Sequence, residues 1–176
     1  LINSFYLKEQ INQFVKNHNY KIQIKVIEDG NNILNTGGGV LNLIDQSNEE
    51  NFLIFNPDTF WNYSYTQEIE NMIELFFNQK LKNILLLVNK DLSFDKNLKG
   101  DFGLENNLIN KNSRTYIYTG CQILNKSVLM NEKTTNFPIN KIWIDLIENR
   151  KLNGYVSKIK FFHASNLEIF KKLEDL

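Results

Sequence analysis

Three stretches of this 176-residue chain carry residues able to act on a charged ligand, and each sits at a junction between apolar runs. The first is Asn56-Pro57-Asp58, directly after the apolar run 52–55. A carboxylate at the end of a buried strand stands where open α/β sheets hold their ligands, and it is a hard oxygen donor suited to Mg2+ bridging phosphates. Taken alone, the same aspartate serves equally as a turn or a helix cap. The second is Asn35-Thr36-Gly37-Gly38-Gly39. Glycines let a backbone approach a ligand closely, and N–H groups near a helix start face anions or nucleotides readily. The triplet also reads as a plain turn, because it lacks the spacing of a P-loop or a dinucleotide fingerprint. A side chain placed at Gly38 is expected to harm ligand binding more than folding. The third is His163, after the strand-like segment 155–162, which ends beside Asp58 if the two strands are neighbours. Asp101, in Gly100-Asp101-Phe102-Gly103, is open between a ligand contact and a turn residue.

Other chemistry is excluded by composition. Cys121 is the only cysteine, so no internal disulfide or thiolate zinc cluster exists, and a reducing, cytoplasmic location is expected. With two histidines there is no His-rich metal site, and no Ser/His/Asp constellation stands out. Lys plus Arg and Asp plus Glu are both 20, which leaves no long-range field to recruit nucleic acid or an anionic membrane. Apolar runs such as 84–88 fall far short of the ~20 residues that span a bilayer. Any charged ligand must be held locally.

The elements that would position these residues follow from periodicity. Leu7, Ile11, Phe14 and Val15 recur at helical spacing, and 21–27 alternates as a half-buried strand. The glycine triplet is read as a loop opening a helix over 40–44. Continuous apolar runs at 52–55 and 84–88 suit strands covered on both faces, with a helix at 67–78 between them, a strand-helix-strand unit of the kind that builds parallel sheets. A hairpin is expected around Glu105-Asn106-Asn107, a long strand at 116–124, helical stretches near 126–130 and 141–150, and a strand at 155–162. Ser165 with Glu168 reads as a capping box before a last helix. The expectation is one α/β domain over 1–176.

The order of segments says more than any one of them. Glu28 precedes Leu34-Asn35-Thr36-Gly37-Gly38-Gly39, then come Phe52-Leu53-Ile54-Phe55-Asn56-Pro57-Asp58, Lys99-Gly100-Asp101-Phe102 and Tyr118-Thr119-Gly120. Together they resemble the sugar-phosphate nucleotidyltransferase family, in its N-acetylmuramate-1-phosphate uridylyltransferase and mannose-1-phosphate guanylyltransferase-like branch, over nearly the whole chain. The resemblance implies a Rossmann-like three-layer α/β/α fold with a mixed, mostly parallel sheet. It implies transfer of a nucleoside monophosphate from a nucleoside triphosphate to a sugar-1-phosphate with release of pyrophosphate. It places Thr36, Gly37, Gly38, Gly39 and Asn56 against the nucleotide, Asp101 and Gly120 in the sugar-phosphate pocket, and Asp58 with His163 at Mg2+.

The chain departs from that pattern in three places. The family's opening glycine-rich segment, with its Arg and Lys, has no counterpart before Leu1, so the expected fold lacks its first strand and exposes edges that favour association into a homo-oligomer. His163 stands where the family carries an aspartate, and an imidazole is a poorer Mg2+ ligand than a carboxylate. Pro57 stands where glycine is usual. These departures lead to an expectation of weak or no turnover by the chain as given, with a non-catalytic nucleotide- or sugar-phosphate-binding domain as the alternative.

Overall fold

A computed structural model describes residues 1–132 and 135–175. The chain divides into two compact units, one formed by Leu1–Glu50 with Leu129–Ile144, the other by Asn51–Val128 with the chain from Asp145 onward.

In the first unit, β1 (Ile2–Ser4) pairs in parallel with β2 (Val26–Glu28), joined through α1 (Lys8–Asn17). The apolar spacing from Leu7 does make a helix, yet no residue of α1 is buried. The strand expected over 21–27 is confined to its end. β1 offers only three partners, Ile2 to Ser4, and the alternation ahead of them leaves Ile22 73% exposed. α2 (Asn35–Ile44) already contains the glycine triplet, so the expected loop is a correction: Thr36 to Gly39 lie in helical turns.

The second unit is built on a four-stranded sheet in the order β3-β7-β4-β8, with β3 Asn51–Phe55, β4 Asn83–Asn89, β7 Tyr116–Asn125 and β8 Gly154–Ser157. β7 runs antiparallel to both its neighbours, and β4 pairs in parallel with β8. The sheet is mixed as expected, but its parallel part is smaller than the strand-helix-strand pattern suggested. β3 and β4, linked by α3 (Tyr65–Asn78), do point the same way; β7 is inserted between them. Every residue from Ile84 to Val88 is fully buried, as a run without alternation requires. Tyr65, Met72 and Phe76 of α3 pack on Ile84, Leu86, Cys121 and Ile123.

β5 (Gly103–Glu105) and β6 (Leu108–Asn110) form the expected hairpin, and Asn106 and Asn107 both take positive φ, 50° and 62°, as a two-residue turn matching strand twist demands. α4 (Asn140–Glu148) and α5 (Leu167–Glu174) complete the α/β fold. No helix among the described residues is long and apolar enough to cross a membrane.

Candidate functional site

The site of the second unit begins with an irregularity in β7. β4 pairs Leu85 with Gln122 and Leu87 with Tyr118, so β7 carries extra residues opposite Leu86. Gly120 absorbs them with φ +90°, a conformation in which a Cβ would also lie 2.8 Å from that of Asn56. The Thr119 hydroxyl fills the gap by donating to the Leu86 carbonyl at 2.9 Å.

The other edge of β7 changes neighbour at the same point. Before the bulge, Phe102 bridges Tyr116 and the Asp101 carboxylate accepts the Tyr118 N–H at 2.9 Å. After it, β3 takes over with Phe55 opposite Cys121. Between them the chain leaving β3 crosses the bulge: Asn56 N–H donates to the Gly120 carbonyl at 2.7 Å, and the buried Thr59 hydroxyl donates to the Thr119 carbonyl at 2.7 Å. Trp61 Nε1 donates to the Asn56 carbonyl at 3.1 Å and its ring meets Phe55 edge-on at 5.1 Å. The segment leaving the carboxyl end of β3 thus crosses the point where the edge of β7 exchanges one partner for another, and the region beyond strand carboxyl ends is where α/β sheets bind ligands.

Asp58 stands on that crossing segment. Thr59 pairs with His163, Phe60 N–H donates to the Phe162 carbonyl at 2.9 Å, and Ala164 N–H donates to the Asp58 carbonyl at 2.8 Å. The backbone therefore sets Asp58 against His163, with Nε2 3.2 Å from Oδ2, the long limit of an N–H···O bond. The imidazole, chiefly through this hydrogen bond, holds the Asp58 carboxyl below the ordinary aspartate range against the opposing pull of partial burial. Asp58 is thus an ionised carboxylate at neutral pH, with its side chain 48% exposed. His163 stacks on Phe161 with ring centroids 5.6 Å apart, and its Nδ1 is buried with no hydrogen-bond partner.

This geometry fits Mg2+ at Asp58 and fits it poorly at His163. Mg2+ is commonly held by one or two carboxylates together with substrate phosphates, and an ionised, half-exposed Asp58 offers that. A metal-bound imidazole hands its other ring proton to an acceptor. The buried, partnerless Nδ1 has none, which favours the proton on Nε2, facing Asp58. Among the described residues, no group of three or more His, Cys, Asp or Glu side chains is placed to hold a metal.

Asn56, Asp58, Gly120 and His163, picked out from sequence, are joined by these contacts, and Asp101 attaches to the same strand at Tyr118. Sequence reasoning missed four neighbours. Thr59 locks the crossing. The Tyr118 phenol is pushed well above its ordinary range, chiefly by burial, with Cys121 and Asp58 nearby adding to the shift. Asp95 and Ser165 hold the turn after His163. One signal was available for the bulge: a glycine inside a strand pattern, Gly120, marks such a feature.

Thr36 to Gly39 belong to the first unit. Gly37 and Gly38 N–H groups both donate to the Phe137 carbonyl, at 2.9 and 3.1 Å, and the Thr36 hydroxyl accepts from Ile139 N–H at 3.0 Å. A Cβ on Gly38 would fall 1.9 Å from the Thr135 carbonyl oxygen. Gly38 is glycine because another backbone lies against it, which reverses the expectation that a side chain there would spare folding.

The fold is an α/β fold with a mixed sheet, and it matches solved structures of nucleotidyltransferases. A putative glucose-1-phosphate thymidylyltransferase from Bacillus anthracis, solved in complex with sucrose, superposes with a TM-score of 0.74 at 12% identity, covering 99% of this chain and 74% of that one. HddC from Yersinia pseudotuberculosis gives 0.70 at 17% identity over 97% of this chain and 74% of its own, and it has also been solved with GMP-PN. The inositol-1-phosphate CTP transferase from T. maritima gives 0.68 at 13% identity over 99% and 75%. No family model matches the sequence, and no curated protein matches it significantly.

Proposed function

We propose that this chain is a sugar-1-phosphate nucleotidyltransferase domain that takes a nucleoside triphosphate and a sugar-1-phosphate as substrates. The observation that carries the reading is Asp58: an ionised, half-exposed carboxylate on the segment leaving β3, beside the point where β7 exchanges neighbours, in a fold shared with nucleotide-sugar enzymes. In the reaction a sugar-phosphate oxygen bonds to the α-phosphorus while the bond from that phosphorus to the pyrophosphate oxygen breaks, and pyrophosphate leaves with the electron pair. Such a transfer needs positioning and charge neutralisation more than covalent help. Mg2+ bound at Asp58 would supply that neutralisation at the α-phosphate.

The chain's own residues do the rest. His163 keeps the Asp58 carboxylate charged and fixes one of its oxygens, which is its role here in preference to direct ligation. Asn56, tied by both its backbone groups, presents its amide to the nucleotide, and Gly120 with Asp101 shapes the sugar-phosphate side. A cytoplasmic setting accords with Cys121 being the only cysteine.

The test is pyrophosphate release that depends on added sugar-1-phosphate, with Mg2+ or Mn2+ and each nucleoside triphosphate in turn. Asp58→Ala should lower it ~10²-fold or more, since a preorganised charge contact is worth that much, while the melting temperature holds. Equal metal-nucleotide affinity in the wild type and Asp58→Ala would remove Asp58 from the site.

One observation favours a second reading, a domain that binds nucleotide or sugar phosphate without turnover: an imidazole with a buried Nδ1 stands beside Asp58 where a second carboxylate would strengthen the metal site. Calorimetric binding without pyrophosphate release, with turnover restored by His163→Asp, would select it.

A further inference from the structure

A second carboxylate lies behind the site, and the reading of Asp58 given above makes no use of it. Asp95 is 5% exposed, without a salt-bridge partner among the described residues. A buried carboxylate is costly unless its oxygens are hydrogen-bonded, and both oxygens of Asp95 are. Oδ1 accepts the Asn97 N–H at 2.9 Å and Oδ2 accepts the Ser165 hydroxyl at 2.7 Å, the short distance of a charge-assisted bond. The backbone of Asp95 is fixed as well, its carbonyl accepting the buried Ser93 hydroxyl at 3.0 Å. Ser93 in turn bridges Phe161, and Phe94 N–H donates to the Phe161 carbonyl at 2.8 Å. Ser165 N–H returns to the His163 carbonyl at 2.9 Å. Asp95 therefore grips the turn that carries His163 from its far side, while Asp58 grips it from the near side through Ala164 N–H.

Local helix capping does not account for this. Ser165 has the sequence position of an N-cap, but the cap of α5 is Asn166, whose side chain accepts Ile169 N–H at 3.0 Å. The Ser165 hydroxyl is released from that duty and spent on Asp95.

We propose that Asp95, acting through the Ser165 hydroxyl, is a positioning residue that sets the His163 imidazole against Asp58 and so fixes the carboxylate geometry of the site. The proposal rests on the reading of Asp58 as the metal carboxylate. Imidazole Nε2 contacts Asp58 at the long limit of a hydrogen bond and Nδ1 has no partner, so the ring is steered by its backbone and by stacking on Phe161 rather than by a second hydrogen bond. A ring held in that way moves when the turn beneath it moves. Ser165→Ala lets the turn relax without touching Asp58 or His163, whereas Ser165→Thr keeps the hydroxyl.

The experiment uses the ring nitrogen signals of 15N-histidine-labelled protein. The chain has two histidines, so His18 serves as an internal control. In the wild type, Asp58→Asn should shift the His163 signals. Ser165→Ala and Asp95→Ala should shift them too and largely abolish the further response to Asp58→Asn, leaving His18 unchanged, and Ser165→Thr should restore both. Mn2+ affinity in the presence of nucleoside triphosphate should weaken about tenfold in Ser165→Ala, the lower end of what outer-shell partners contribute. His163 signals in folded Ser165→Ala identical to the wild type, with the Asp58→Asn response intact, would overturn the proposal. Should Asp95→Ala fail to fold, Ser165→Ala decides alone. If the wild type binds no nucleotide at all, the proposed function fails while the nitrogen signals still decide whether Asp95 positions His163.

Discussion

The two units spend similar apolar sequence in opposite ways. In the second unit β4 buries five consecutive residues, Ile84 to Val88, completely, and α3 lays Tyr65, Met72 and Phe76 over them. In the first, α1 has the spacing of an amphipathic helix yet buries nothing, with Phe14 59% exposed, and Ile22 further on is 73% exposed. The same contrast holds for their glycines. Gly120 is required by its own backbone angle at a bulge beside the site, whereas Gly38 is required by a neighbouring backbone that leaves no room for a Cβ. Apolar spacing specifies an element; whether its face is covered is a separate property. A glycine likewise marks crowding as readily as it marks a ligand.

The sharpest test of the contrast is truncation. Leu86→Ala should cost ~2–5 kcal/mol by chemical denaturation, as for other buried leucines, while Phe14→Ala stays within ~0.5 kcal/mol. Equal losses would dissolve the distinction. Next come the glycines: Gly38→Val and Gly120→Ala should each destabilise by about 1–3 kcal/mol, one by overpacking and the other by backbone strain. Amide exchange should localise the first loss to unit 1 with β4 still protected, and the second to β7. Thr59→Val removes the buried hydroxyl bonded to Thr119 and leaves that carbonyl unsatisfied, an expected loss of about 1–2 kcal/mol with stronger impairment of ligand binding. Asn166→Ala, which deletes the cap of α5, should cost about 1 kcal/mol.

The smallest effect is acid sensitivity. Bonds from Ser165 and then Asn97 hold the Asp95 carboxyl below the ordinary range. Its contribution to stability is present above the unfolded-state value and is lost as pH falls below that value through the lower folded one. Asp95→Asn should flatten that part of a melting-temperature profile.

Periodicity made the elements of the second unit legible: the runs at 52–55, 84–88 and 116–124 all emerged as strands, and 67–78 as most of α3, but the run at 52–55 is an edge strand with Leu53 41% and Phe55 43% exposed, not one covered on both faces. What it could not give was their order. Inserting β7 between β3 and β4 pairs residues too distant for any local pattern, which is why the sheet is less parallel than expected. The strand expected over 155–162 ends at Ser157 and resumes only as bridges at Phe161 and His163, since Ser93 and Thr59, not a full strand, are its partners there. Asp58 does meet His163, but not because their strands are neighbours: β3 and β8 are opposite edges of the sheet, and an isolated bridge between Thr59 and His163, beyond both strand ends, brings the two together. Asp95 was not legible, because a buried aspartate looks like any loop aspartate until the hydroxyl it accepts is seen. Ser165 misled for a related reason: Asn166, one residue later, is an equally good cap and wins the position.

The insertion of β7 also bears on how the chain acquires its structure during synthesis. β3 and β4 leave the ribosome before the strand that separates them, and at about 5–20 residues per second β7 follows only after roughly a few seconds. Through that interval the facing edges of β3 and β4 have no partner, and sheets assembled from distant segments close slowly. The Thr59 to Thr119 bond spans 60 residues and the Ser165 to Asp95 bond 70. A nascent chain halted short of β7 would therefore carry Asp58 just beyond an unpaired strand, a natural client for chaperones that shield open sheet edges.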